Sequence, residues 1–284
     1  MRRMRWIAPL AVAGLLLATA ARAEQLPWRT DVKEALAEGT RADRLVMLSF
    51  TDTDCEWCDR MDSETLSNAD VVKACERVIP VRVDVNTAPE LARQYGIEGV
   101  PSFIFVEGSG DEVGRIVGFL PAPIFLDRLQ QVLDDQQKVV DLRKQVSENP
   151  NDYEAKANLA RIYIERRQGD LAAPLVDALA ALPKDDAPAD MAEMLLGTGI
   201  AYGSRGNNDR ALVYLEKVIQ GYPGTEEAEW AQFFTGLALG LKGEREAAIQ
   251  QLEKVIATVK SEVVRERARM LLERFREEPA PPSL

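Results

Sequence analysis

The chain has 284 residues, 46% of them hydrophobic, with 35 lysines and arginines against 46 aspartates and glutamates, a formal charge of −11 and no histidine. That length and apolar content support a buried core and two domains of ordinary size, which argues against a disordered tail. The acidic balance, with no basic and aromatic cluster to override it, repels phosphate backbones and argues against nucleic acid as a partner. Three cysteines are too few for a disulfide scaffold and parse as one pair plus one single residue.

Residues 1–23, MRRMRWIAPLAVAGLLLATAARA, start with Arg2, Arg3 and Arg5, run apolar from Ile7 to Ala20 and end in the small-x-small site Ala21-Arg22-Ala23. This pattern predicts a signal peptide cleaved after Ala23, and hence a periplasmic or secreted protein. The apolar run falls short of the roughly 20 residues that a spanning helix needs. No cysteine lies near the cleavage site to carry a lipid. Cleavage removes four arginines and no acid, leaving 31 basic against 46 acidic side chains, a charge of −15.

From Gln25 to Asp135 helix and strand patterns alternate. Asp31 to Glu38 is helix-like, and RLVMLSF, residues 44–50, is an apolar run suited to a buried strand. Cys58 to Leu66 and Ala69 to Val78 read as helix, Ile79 to Val85 alternates like a strand, and Ala88 to Tyr95 is helical again. Ser102 to Val106 and Glu112 to Phe119, around a Ser109-Gly110 turn, read as a hairpin, followed by a helix from about Ala122. The order is that of an α/β domain.

Two cysteines two apart, Cys55 and Cys58, directly follow the first strand. Their stretch, residues 52–64, also holds Asp52, Asp54, Glu56, Asp59, Asp62 and Glu64 against Arg60 alone. The pair admits three readings: a reactive dithiol, a structural disulfide, or part of a zinc site. Zinc wants four ligands, usually Cys and His, and only Cys75 remains to add, so no metal or other cofactor is expected. Cys75, in VVKACERV, shares helical spacing with Val71, Val72 and Val78 and reads as a small core residue. The acid cluster is either a solvated face or a local field that opposes thiolate formation.

The strand ending in Phe50, the Cys55-Glu56-Trp57-Cys58 pair opening a helix, VDV at 83–85, YGIEGVPSFIFV at 95–106 and Gly118 after the hairpin together resemble the thioredoxin fold over about 110 residues. The wording around the motif is most similar to periplasmic thioredoxin-like proteins related to the soluble domains of thiol-reductant transporters. The resemblance implies a cis bond between Val100 and Pro101 beside the disulfide, with those two residues at the substrate contact; Trp57, core or surface by type, reads beside an exposed cysteine as a substrate-binding flank of the docking surface. The resemblance also has departures. Where the family has tryptophan before the first cysteine and an acid six positions before it, this chain has Asp54 and Ser49, and Glu56 and Trp57 replace the glycine and proline of the motif.

Cysteines at this spacing at a helix start bring their sulfurs within bonding distance, and the helix N-terminus favours thiolate on the first. Cys55 is then the expected nucleophile and Cys58 the resolving thiol, acting on protein thiols or disulfides. Acids that disfavour the thiolate point to a reductase or isomerase, which in an oxidising compartment needs an electron donor such as a membrane thiol-reductant transporter.

Beyond Asp135 the chain is helical in pattern and repeats itself. LEKVI recurs at 215–219 and 252–256; Gly169, Gly206 and Gly243 share the same 37-residue step, as do Gly199 with Gly236 and Ala211 with Ala248. Small residues at helix contacts, a turn glycine and Pro183 or Pro223 closing a unit resemble tetratricopeptide repeats, stacking units whose expected role here is to bind a protein partner, with plain packing or self-association as the alternative. In the first copy Pro174 falls in the alanine slot and LPKDDAPAD, 182–190, breaks the register. The expected plan is a signal peptide (1–23), a thioredoxin-like α/β domain (24–136), an all-α tetratricopeptide-like repeat domain (137–276) and a disordered tail (277–284). The competing class is a non-catalytic binding or co-chaperone scaffold with an inert disulfide; a cytoplasmic co-chaperone family combines the same two modules, but the export signal and intact CxxC depart from it.

Overall fold

The computed structural model describes residues 26–277, so the expected signal peptide and residues 278–284 of the expected tail lie outside it. Glu277 closes the last helix.

The first helix, α1 (Val32–Ala42), is capped by Asp31, whose side chain accepts from the Glu34 amide at 3.0 Å. It runs past the expected end at Glu38. Gly39 is a close-packing point here: a Cβ would lie 2.9 Å from the Arg44 carbonyl and 3.0 Å from Val46 Cγ2. Strand β1 (Val46–Thr51) follows and is buried almost throughout. It lies between β2 (Ile79–Asp84), parallel to it, and β3 (Ser102–Val106), antiparallel to it; β4 (Glu112–Val117) pairs antiparallel with β3. The sheet order is β2-β1-β3-β4.

A parallel pair needs a crossover. It is supplied by α2 (Glu56–Arg60), which continues as a π-helical turn over Met61–Leu66, and by α3 (Ala69–Cys75). A short α4 (Pro89–Gln94) leads to β3. The side-chain period of two sorts the strands into two faces. Met47, Phe103, Phe105 and Ile116 pack against Met61, Leu66, Val71, Val72 and Cys75, while Val46, Leu48, Phe50, Val81 and Ile104 pack against Ala35, Ala92 and Tyr95. The result is an α/β domain with helices on both faces, in the expected order.

Helix α5 (Ala122–Glu148) joins the two halves without a break. Its Phe125, Leu129 and Leu133 complete the sheet core, with Phe125 edge-on to Phe103 at 5.2 Å; Val139 belongs instead to a cluster with Leu159, Tyr163 and Ala172. The expected junction at 136/137 therefore falls inside a helix, where the side chains change partners. Beyond it come the helix pairs α6 (Tyr153–Glu165) with α7 (Gly169–Ala180), α8 (Met191–Ser204) with α9 (Asn208–Gly221), and α10 (Glu226–Leu241) with α11 (Arg245–Thr258), then α12 (Glu262–Glu277). This all-helical region is consistent with a helical-repeat domain.

The structure corrects the register of the first repeat. Gly206 and Gly243 occupy the turns with φ of +78° and +83°, but the matching turn residue of the first pair is Arg167, φ 56°, a step of 39 rather than 37. Gly169 is instead the first residue of α7, where a Cβ would lie 3.0 Å from the Tyr202 ring. With a step of 39, Ala160 matches Gly199, Ala172 matches Ala211 and Tyr163 matches Tyr202, and all six are buried. The alanine slot is thus filled by Ala172, not Pro174. The long segment 181–190 between α7 and α8, against 222–225 between α9 and α10, hides this from a fixed-period reading.

The β3–β4 hairpin is where the α/β domain meets the repeats. Glu107 accepts from Gln136 Nε2 and Arg143, both at 2.9 Å, and Arg143 Nε donates to the Tyr163 hydroxyl at 2.6 Å. Arg205 pairs with Asp111 at 2.7 Å.

Candidate active site

Cys55 is the N-cap of α2, with extended backbone (φ −106°, ψ 98°), and its sulfur accepts from the Cys58 amide at 3.1 Å. The helix therefore starts at Glu56, two residues before the sequence reading put it. Cys55 and Cys58 are joined in a disulfide with Cα atoms 5.2 Å apart. Cys55 is half-buried and Cys58 is buried, 4% exposed. One cysteine thus reaches the surface while the other sits behind it.

The opposite wall comes from the loop before β3. The Val100–Pro101 bond is cis, as the resemblance implies, and the Val100 carbonyl oxygen lies 3.8 Å from Cys55 Sγ. The Gly118 amide donates to the Pro101 carbonyl at 2.8 Å, drawing the segment after β4 to the same place. Trp57 projects outward, 53% exposed. The structure therefore gathers Cys55, Cys58, Trp57, Val100 and Pro101 at the end of the sheet where β1 finishes and β3 begins. The hairpin that docks on the repeats is at the other end of β3, about 17 Å away for a five-residue strand.

The acidic stretch is less bare than its sequence reads. Arg60 pairs with Glu64 at 2.7 Å, and Arg82 from β2 pairs with Asp62 at 2.9 Å while lying over the Trp28 ring at 4.1 Å. Arg82 corrects the view that Arg60 alone faces the cluster. The strand alternation carried the signal, since Val81 and Val83 pack on the α1 and α4 side and Arg82 between them points to the other face, where α2 lies. Hydrogen bonding to Arg60 holds the Glu64 carboxyl below its usual range, and the same contact raises Arg60. Asp52 accepts from Asn86 Nδ2 at 2.8 Å; Asp54, Glu56 and Asp59 are exposed.

Two further positions are now located. Ser49, at the site of the family's acid, is 1% exposed on the same sheet face as Met47, under the helix that carries the cysteines. Cys75 is 1% exposed in that core, and burial pushes its thiol up to about 12, the setting of a small core residue. Phe119, read only as the end of the hairpin, reaches the Trp57 ring at a centroid distance of 5.8 Å. An aromatic directly after Gly118 was the one sequence clue to it.

Among the described residues no helix is long and apolar enough to cross a membrane. Residues 29–133 match the model of the thioredoxin-like domain. The chain is 30% identical over 91 residues to a thioredoxin H-type of Fagopyrum esculentum, covering 32% of this chain and 72% of that protein. It is 31% identical over 113 residues to the thiol:disulfide interchange protein DsbD of Ralstonia nicotianae, 38% of this chain and 19% of that one. Over 78 residues it is 37% identical to the TPR repeat-containing thioredoxin TDX of Arabidopsis thaliana, 28% and 20% of the two chains. The chain spans between 19% and 64% of the first curated relatives it matches. With a CxxC pair capping a helix beside a cis-proline loop, on a sheet flanked by helices, and with these matches over the same residues, the chain belongs to the thioredoxin-like family.

Proposed function

We propose that the chain is an exported thiol–disulfide oxidoreductase of the reductase or isomerase type, acting on protein disulfides through Cys55 and Cys58, with the repeats holding a protein partner. The observation that carries this reading is the half-buried Cys55 sulfur at the start of α2, receiving the Cys58 amide at 3.1 Å and backed by buried Cys58. An amide donor and the positive helix end both favour a thiolate there. In the reducing direction the Cys55 thiolate attacks one sulfur of a partner disulfide and forms a mixed disulfide, releasing the partner's other sulfur as thiolate. Cys58, deprotonated, then attacks Cys55, releasing the second partner thiolate and closing the Cys55–Cys58 bond. Two electrons pass to the partner, and a donor dithiol, expected from a membrane thiol-reductant transporter, restores the pair.

Trp57 and the Val100–Pro101 backbone are the expected substrate contacts, the latter as a strand-like edge. The relative named a thiol:disulfide interchange protein supports the chemistry, and the repeat-containing thioredoxin supports its pairing with repeats. A partner held on the repeats is tethered away from Cys55, which raises the local concentration of its disulfide without occupying the site. Export rests on residues 1–23 with cleavage after Ala23.

The test is trapping in the exporting compartment. Cys58→Ser keeps the nucleophile and loses the resolving step, so it should accumulate mixed disulfides with proteins; Cys55→Ser should trap few or none. Equal trapping by both variants, or by neither, rejects the assigned roles and favours an inert disulfide on a binding scaffold.

A further inference from the structure

Trp57, an expected substrate contact, is held by two side chains, Arg60 and Phe119, that no step above uses. The Arg60 guanidinium carbon lies 4.9 Å from the centre of the Trp57 ring and 4.6 Å from that of Phe119, and the two rings are 5.8 Å apart with planes inclined at 41°. The three groups close a triangle. Each corner is also fixed from elsewhere. Glu64 holds the guanidinium with two contacts, from Nε at 2.7 Å and from the terminal nitrogen at 3.2 Å. Phe119 sits between two anchored residues: the Gly118 amide donates to the Pro101 carbonyl at 2.8 Å, and the Leu120 carbonyl accepts from Thr65 Oγ1 at 2.6 Å. Trp57 is two residues past Cys55, in the first turn of α2.

We propose that Arg60 and Phe119 are positioning residues that hold the Trp57 indole as a fixed wall of the groove between α2 and the Val100–Pro101 loop, against which the apolar flank of a partner's cysteine packs. The proposal rests on the exchange reading above and deepens it, because it names what selects a polypeptide disulfide over a small one. An indole that is 53% exposed on a helix surface would otherwise sample several rotamers, and binding would have to freeze it; a wall ordered beforehand avoids that loss. A guanidinium suits the task because its flat face stacks on rings while its edge pairs with a carboxylate. A lysine ammonium keeps the charge but has no plane, so Arg60→Lys separates positioning from any field that the cation exerts on Cys55.

The full-length protein is assayed with dithiothreitol as electron source, against insulin as the polypeptide disulfide and hydroxyethyl disulfide as a substrate too small to reach the wall. Arg60→Lys and Phe119→Leu are each expected to raise KM for insulin about threefold to tenfold, the factor of one newly ordered side chain, with the change carried by KM rather than kcat. The loss with hydroxyethyl disulfide should be at least threefold smaller. In a Trp57→Ala background Arg60→Lys should add little, because the residue it positions is gone. An unaltered insulin KM in Arg60→Lys, equal losses on both substrates, or full additivity with Trp57→Ala overturns the proposal alone. A wild-type protein that reduces neither disulfide overturns the exchange reading, and this one with it.

Discussion

Gly236 and Leu252 mark the helix crossing that the 37-residue repeat preserves, and a double-substitution cycle on them tests whether α10 and α11 pack as described. A Cβ on Gly236 would stand 2.8 Å from Leu252 Cδ2 and 2.9 Å from its Cγ. Leu252 is fully buried, so it has no solvent into which to swing. Gly236→Ala should therefore suffer overpacking of about 1–3 kcal/mol, offset by about 1 kcal/mol of helix propensity, for a net loss of about 1 kcal/mol. Leu252→Ala opens a cavity and should cost about 2–5 kcal/mol. Combined, the new methyl enters the vacated space, the clash disappears and the propensity gain remains. The double variant should be less destabilised than the sum by at least about 1 kcal/mol. Urea unfolding followed by far-UV circular dichroism, with unchanged m, reads the four stabilities. Additivity, or a Gly236→Ala protein stabilised by the whole propensity gain, would refute the close crossing. Gly199 with Leu215, at 3.1 Å, should couple with the same sign and a smaller size.

Other outcomes can be checked alongside. Glu107→Ala removes the acceptor shared by Gln136 and Arg143 and leaves Arg143 beside Arg166, whose charge burial already disfavours; a loss of about 1–3 kcal/mol and faster proteolysis at the 107–111 turn are expected, and an unchanged midpoint and cleavage rate would refute the docking role. After reduction at pH 8, maleimide should label Cys55 rapidly and Cys75 only on unfolding. Because burial raises the folded-state Cys75 thiol from 9.0 to about 12, its contribution to stability is present below about pH 9 and is lost as pH rises toward 12; Cys75→Val should remove that part of the alkaline slope. Carboxylates beside Cys55 oppose its thiolate, so Asp54→Asn with Glu56→Gln should make the pair more oxidising. An unmoved potential reduces those acids to a solvated face, and a wild-type value near −120 mV, that of a strong oxidant, argues against the reductase reading.

The α/β order was legible because each strand carries a local apolar pattern. LVMLSF and SFIFV are buried on both sides, and a strand flanked by helices must read as a continuous apolar run. That the cysteine pair, Trp57 and the Val100–Pro101 loop lie together was legible because the motif is contiguous or recurs at a spacing the fold imposes. The repeats showed through LEKVI and the turn glycines at 206 and 243, since a crossing that admits no Cβ and a turn with positive φ both leave a residue type behind.

The chain's own order of residues thus determined the order of the elements, the two-part plan and the disulfide-forming pair Cys55 and Cys58, all of which rest on local preference or short spacing. Tertiary structure alone decided what depends on groups far apart in sequence. It brought Arg82 to Asp62 and Phe119 to Trp57, and it carried α1 through Gly39 by packing it under β1. It also gave the turn of the first repeat to Arg167 and locked the hairpin tip onto the repeats through Glu107 and Asp111. A linear pattern records which face a side chain takes, but the partner across that face is set by how sheet, helices and loops close on one another.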